Sequence, residues 1–218
     1  MAAVTFLLSR RACFSTALGA ALGFVLPAWA DKAASGKVAM NDLMAPSGLP
    51  DIVQGQADAA ITIVEYASMT CSHCAAFHRD VFPGLKKTYI DTGKVKFILR
   101  EFPLDPVATA AFMLARALDD KRDAAVDLLF AQQKNWAFVD KPLDGLANVL
   151  KQAGLGQEKL EATLKDRKLN EDITAVRDRA SEKFGVTSTP TFFVNGEKYS
   201  GEITAADLDK IIAAKSTK

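Results

Sequence analysis

The chain has 218 residues, 49% of them hydrophobic and 24% charged, with 27 basic against 26 acidic side chains. These proportions are those of a soluble globular chain and exclude a collagen, a disordered tail protein and a polytopic membrane protein. The length suggests one domain, or one domain with an insertion, and the near-neutral charge argues against a nucleic-acid binder, which carries a basic stripe.

Residues 1–30 have the layout of a signal peptide. Arg10 and Arg11 form a positive start, an uncharged and mostly apolar run extends from Ala12 to Leu26, and Ala28-Trp29-Ala30 follows Pro27 as a small-residue cleavage site. An uncleaved membrane anchor is the alternative, because the stretch from Ala12 to Ala30 approaches spanning length. The arginine pair suits twin-arginine export, but Phe14 stands one residue late for that motif, so the Sec route stays open. Removing the segment leaves 25 basic against 26 acidic side chains and two cysteines, Cys71 and Cys74. Two cysteines three apart do not make a disulfide-stapled scaffold.

Residues 31–50, small and polar with two glycines and two prolines, are expected to form a flexible N-terminal arm. A short strand at 51–53 precedes Ile61-Thr62-Ile63-Val64-Glu65-Tyr66, whose β-branched, nearly all-apolar character predicts a strand buried on both faces. Apolar spacing through Phe77, Val81 and Leu85 predicts a helix over about 72–90, kinked by Pro83. A second strand covers 95–102, so strand, helix, strand predicts a parallel pair. Residues 107–184 are rich in Ala, Leu and charged side chains, with helices expected near 107–118, 121–134, 143–153, 157–165 and 168–184. Strand character returns at 191–194, followed by an Asn195-Gly196 hairpin turn, a return strand at 198–200 and a last helix over 205–214. The parts at 51–106 and 185–218 flank an all-helical block at 107–184, which suggests one α/β domain with a helical insertion.

Cys71-Ser72-His73-Cys74 falls just after a buried strand and opens a helix. Free amide groups and positive potential gather at a helix start and favour a thiolate at Cys71. A protonated His73 beside it would add a contact of about 1.5–3 kcal/mol, lowering the thiol pKa by about one to two pH units. Cys71 is then the attacking and leaving sulfur, and Cys74, one turn in, can resolve a mixed disulfide. Cys71, His73, Cys74 and His78 have ligand-like spacing, but adjacent His73 and Cys74 do not easily share one tetrahedron and no remote ligand pair exists, so no metal is expected. Haem attachment needs His at position 75, which is Ala75. An inert structural disulfide is disfavoured because so short a loop removes little unfolded-state entropy.

Several stretches together resemble the DsbA-like branch of the thioredoxin superfamily. They are Val64-Glu65-Tyr66 before the cysteine motif, Phe77 after it, Leu99-Arg100-Glu101-Phe102-Pro103-Leu104, the helical block, and Val186-Thr187-Ser188-Thr189-Pro190-Thr191-Phe192-Phe193-Val194-Asn195-Gly196. The likeness covers roughly 50–214 and implies a thioredoxin fold, a mixed sheet flanked by helices, with an all-helical insertion. It also implies a cis Thr189–Pro190 bond facing the cysteines, whose loop offers backbone groups to an extended substrate peptide. Ser72, Thr189 and Pro190 would then bind substrate. Glu65 is either an edge residue facing water or, as the resemblance favours, a buried carboxyl that exchanges a proton with Cys74. His78 is expected on the helix surface, and Met69 and Trp136 in core or surface packing. Ser72 stands where the best-known oxidase of the branch has Pro, and the central dipeptide tunes the redox potential.

The resemblance implies a periplasmic oxidase that passes a Cys71–Cys74 disulfide to unfolded exported proteins with free thiols. A DsbB-like, quinone-linked membrane protein would reoxidise it, and no bound cofactor is implied, the cysteines being the redox group. A reductase or isomerase kept reduced by a membrane electron donor is the first alternative. Residues 31–50 are too few for the dimerisation module usual in such isomerases, which favours a monomer. A peptide-binding chaperone with idle cysteines is the second.

Overall fold

A computed structural model describes Met1 and residues 32–216, so the signal peptide expected at 1–30 lies outside the described residues. The strands are β1 (Gly36–Lys37), β2 (Ile52–Gln54), β3 (Ile61–Ala67), β4 (Val95–Glu101), β5 (Thr191–Val194) and β6 (Glu197–Ser200). They form one sheet in the order β1-β6-β5-β3-β4-β2. β3 and β4 run parallel, with Glu65 beside Leu99, and every other pair is antiparallel. This is the mixed sheet of the thioredoxin fold.

β3 is central and buried along its whole length, which accounts for its unbroken apolar run. Successive side chains alternate between faces. Ile61, Ile63 and Ala67 enter one core with Phe97, Leu99 and Phe192, while Val64 and Tyr66 enter a second with Ile98 and Phe193. Glu65 shares the register of Ile63 and Ala67, so its carboxyl is directed into the first core.

Helices α1 (Met40–Met44), α2 (Ser72–Asp80), α3 (Phe82–Leu85), α4 (Pro106–Arg116), α5 (Arg122–Ala131), α6 (Pro142–Gln152), α7 (Gln157–Leu164), α8 (Arg167–Phe184) and α9 (Ala205–Ser216) complete the described elements, with short 3₁₀ turns before and after α5. Asp105 caps α4 by accepting from the Ala108 amide at 2.8 Å, with Pro106 in the first turn. Asp166 caps α8 at 3.0 Å, and Gly185 ends it at φ +61°. The run from α4 to α8 separates β4 from β5. None of the described helices is long and apolar enough to cross a membrane.

Two expectations need correction. The helix from 72 is divided rather than kinked: α2 ends at Asp80, Val81 turns at φ −115°, and Pro83 lies in the first turn of α3. A proline ring clashes with the carbonyl four residues back, so the break falls before Pro83. A π turn at Lys86–Ile90 follows. Residues 31–50 are also not a loose arm. β1 pairs with β6, Leu43 of α1 is fully buried, and Val38 donates to Gly196 O at 2.8 Å. The hairpin turn makes this docking possible. Asn195 and Gly196 both have positive φ, and a Cβ on Gly196 would overlap Val38 O.

Candidate functional site

The turn between β3 and α2 carries the two cysteines. Its backbone is held from three sides: Cys71 N–H donates to Ser68 O, the Ser68 hydroxyl accepts from the Leu104 amide, and Thr70 Oγ1 donates to Asp105 at 2.6 Å. From the turn after α5, the buried Gln133 amide donates to Met69 O at 2.8 Å and to Cys71 O at 3.0 Å. The turn is thus fixed by the β4–α4 loop and by the helical block together.

Cys71 occupies the N-cap of α2 and Cys74 lies in its first turn. Both are free thiols. Cys71 retains 8% exposure and Cys74 none, so only the first can meet a partner from solution. Across from them the Thr189–Pro190 peptide is cis, as the resemblance implied. As a thiol, Cys71 Sγ donates to Thr189 O at 3.4 Å.

The two sulfurs are driven in opposite directions. Cys71 is lowered to about 5, chiefly by the Cys74 thiol donating to its sulfur and against the opposing effect of burial. The Thr189 hydroxyl and the amides of Cys74 and His73 add to the lowering. Neither the hydroxyl nor the amides reach strict hydrogen-bond geometry with the sulfur, so they act as nearby dipoles at a helix start. Burial pushes Cys74 well above the usual thiol range, with the charges of Cys71 and Glu65 adding to it. A low-pKa sulfur at the surface and a high-pKa sulfur behind it can open and close a disulfide in a fixed order.

The remaining predicted residues are placed as follows. Ser72 is exposed in the first turn of α2. The His73 ring is mostly exposed and turned away to Glu202, which it contacts through Nδ1 and which raises its pKa. The His73 amide adds to the lowering at Cys71, and the ring charge and the Cys71 thiolate also favour each other, although Glu202 is the ring's main partner. Glu65 is fully buried, with Oε2 2.9 Å from His78 Nε2. His78, expected on the helix surface, is buried and stacked on Phe130, with ring centroids 4.3 Å apart. The break after Asp80 lets Phe82 and Phe130 close around this ring. Met69 and Trp136 are fully buried core residues. No group of three or more metal-ligating side chains occurs among the described residues. Gln133, Glu202 and Asp127 were not singled out from the sequence; no local pattern marks Gln133 or Glu202, and Asp127 is a lone acid in an apolar helical run.

A thioredoxin fold with a vicinal thiol pair at the start of a helix, facing a cis-proline, defines a thiol–disulfide exchange protein. A family model described as thioredoxin matches residues 48–214. A Rickettsia bellii relative bearing the name protein-disulfide oxidoreductase is 35% identical over 173 residues, 77% of this chain and 67% of that one. A Rickettsia typhi relative is 32% identical, over 74% of this chain and 62% of its own. The chain therefore spans about two thirds or less of the length of these curated relatives. The crystal structure of Wolbachia pipientis alpha-DsbA1 superposes with a TM-score of 0.75 at 31% identity, covering 81% of this chain and 96% of that one. The chain belongs to the DsbA-like thiol–disulfide oxidoreductases of the thioredoxin superfamily.

Proposed function

We propose that the protein is a periplasmic dithiol oxidase that donates a Cys71–Cys74 disulfide to unfolded, exported proteins. The observation that carries this reading is the asymmetry of the pair: Cys71 lowered to about 5, Cys74 raised and sealed from solvent. A substrate thiolate attacks Cys71 Sγ, and the Cys71–Cys74 bond breaks with its electron pair on Cys74. Cys74 then takes a proton from the Glu65 carboxyl. A second substrate thiolate attacks the substrate sulfur of the mixed disulfide and expels Cys71 as a thiolate. The substrate loses two electrons and gains a disulfide, and the protein keeps a reduced pair.

A thiolate stabilised in the reduced protein favours the reduced state, so the disulfide is given away readily. Ser72 and the Thr189–Pro190 loop border Cys71 and accept the extended substrate segment. Reoxidation by a DsbB-like membrane protein linked to quinone completes the cycle, and the working unit is a monomer.

The equilibrium with glutathione tests the direction. An oxidase is reduced by a small fraction of reduced glutathione, and it speeds oxidation of reduced, unfolded ribonuclease. Rescue of scrambled ribonuclease alone, with a reducing potential, would establish the isomerase reading instead. Full retention of function in Cys71→Ser would leave only the chaperone.

A further inference from the structure

Behind the dithiol, a buried histidine joins Glu65 to a groove open to solvent. His78 Nε2 lies 2.9 Å from Glu65 Oε2, and His78 Nδ1 lies 3.9 Å from Asp127 Oδ1. Histidine and glutamate side chains are almost wholly buried, whereas Asp127 is half exposed. His78 Nδ1 and Glu65 Oε1, one atom at each end of the pair, have no hydrogen-bond partner. The ring is held in orientation by stacking on Phe130 and by edge contacts with Phe77 and Phe97. A groove of about 340 Å³, lined by His78, Phe82, Lys86, Asp127 and Phe130, reaches the ring from outside.

We infer that His78 carries protons between Glu65 and Asp127, so that Cys74 exchanges its proton with solvent through the back of α2 rather than past Cys71. This rests on the reading of Glu65 as the proton partner of Cys74. Cys74 and Glu65 are both fully buried, so a proton reaching the sulfur needs a third group to bring it in. Imidazole suits that task because it can take a proton on one nitrogen and release one from the other near neutral pH. The 3.9 Å gap to Asp127 is beyond a hydrogen bond, and rotation of the half-exposed carboxyl closes it.

When the disulfide opens, the new substrate–Cys71 bond replaces the Cys71–Cys74 bond and leaves the electron pair on Cys74. Glu65 gives its proton to Cys74, His78 Nε2–H gives its proton to Glu65, and Nδ1 receives one from Asp127, which regains it from water. One proton has moved inward and His78 has changed tautomer. When Cys74 is reoxidised its proton leaves by the same route, and the tautomer is restored without a ring flip that Phe130 would hinder. Burial raises the Asp127 pKa, which eases its uptake of a proton from water.

The charged and titratable groups around His78 are Cys74 and Arg79 on α2, Glu65 on β3, Asp123 and Asp127 on α5, and Lys86 after α3; β4 contributes Phe97. The test is rapid-mixing kinetics across pH, with oxidised full-length protein against dithiothreitol and reduced protein against oxidised glutathione. His78→Gln keeps a hydrogen-bond donor to Glu65 but cannot pass a proton, and it should slow both directions by about 10–100-fold. Asp127→Asn should slow both directions severalfold and leave the glutathione equilibrium unchanged. Imidazole in solution should restore the rate of His78→Gly, whose cavity opens to the groove. A His78→Gln protein with the rate and pH profile of the unaltered protein overturns the inference, and if His78→Gly does not fold, His78→Gln alone decides. A slow Glu65→Gln with a fast His78→Gln sinks the relay only, whereas a fast Glu65→Gln removes the underlying reading of Glu65.

Discussion

Cys71 takes its low pKa from neighbours supplied by separate parts of the chain: the Cys74 thiol, the first-turn amides of α2, and Thr189 from 118 residues away. Because the Cys74 thiol is the largest of these, Cys74→Ala should raise the Cys71 pKa by more than a pH unit, read by ultraviolet thiolate absorbance. His73→Ala should move it by less than about half a pH unit, since the ring is exposed, paired with Glu202 and screened by solvent. A larger change would show that the imidazole charge reaches the sulfur after all. The motif alone suggested the opposite weighting. His73 is adjacent to the cysteines in sequence, whereas Glu202, which draws its ring away, is 129 residues distant. Pairings of that kind leave no local trace.

At the scale of elements, the helical block and the active-site turn are joined through Gln133. Gln133→Leu leaves two buried carbonyl oxygens, those of Met69 and Cys71, without their donor. The expected cost is about 1–3 kcal/mol, seen as a thermal midpoint lowered by roughly 3–10 °C. On the opposite face of the sheet, Arg100 binds Asp51 through both carboxyl oxygens, at 2.7 and 3.0 Å, and donates to Leu43 O at 2.6 Å. It ties the 31–50 segment to the sheet edge, and Arg100→Ala should destabilise by about 3–5 kcal/mol because Asp51 loses its buried partner. The regular elements were legible because their burial repeats: β3 is apolar throughout and the block shows helical spacing. The docking of 31–50 was not, since among the described residues of that segment only Leu43 is fully buried and the rest depends on distant partners such as Arg100 and on the missing side chain of Gly196. His78 was misplaced for a related reason. A histidine one turn past Cys74 suits either a wet or a dry face, and only the break before Pro83 decides which.

For the molecule as a whole, the Cys71 thiolate links stability to pH. The folded pKa of about 5 lies below the ordinary 9.0, so the reduced fold gains stability as pH rises from 5 towards 9 and loses it as pH falls through 5. At pH 7 the gain is on the order of 3 kcal/mol, and at pH 4 it is close to zero. The oxidised protein has no thiolate there. The stability of the reduced form relative to the oxidised form should therefore fall by roughly 3 kcal/mol between pH 7 and pH 4, measurable by denaturant unfolding of both. A pH-independent difference would mean that Cys71 titrates like an ordinary thiol.

The order of the strands carries a consequence for timing. β3 lies between β4, which follows within 35 residues, and β5, which begins only at Thr191. Thr189 and Gln133, which complete the surroundings of Cys71, are also made long after it. A chain emerging from its amino end has both cysteines outside well before Thr189 and Gln133, the distant groups that complete their surroundings. During that interval they are two accessible thiols in an unfinished polypeptide, open to the same oxidation as those of any other unfolded chain. If the protein is the oxidase proposed above, each new copy would be a client of finished copies before it joins them, and its full reactivity would wait for the last strands of the sheet.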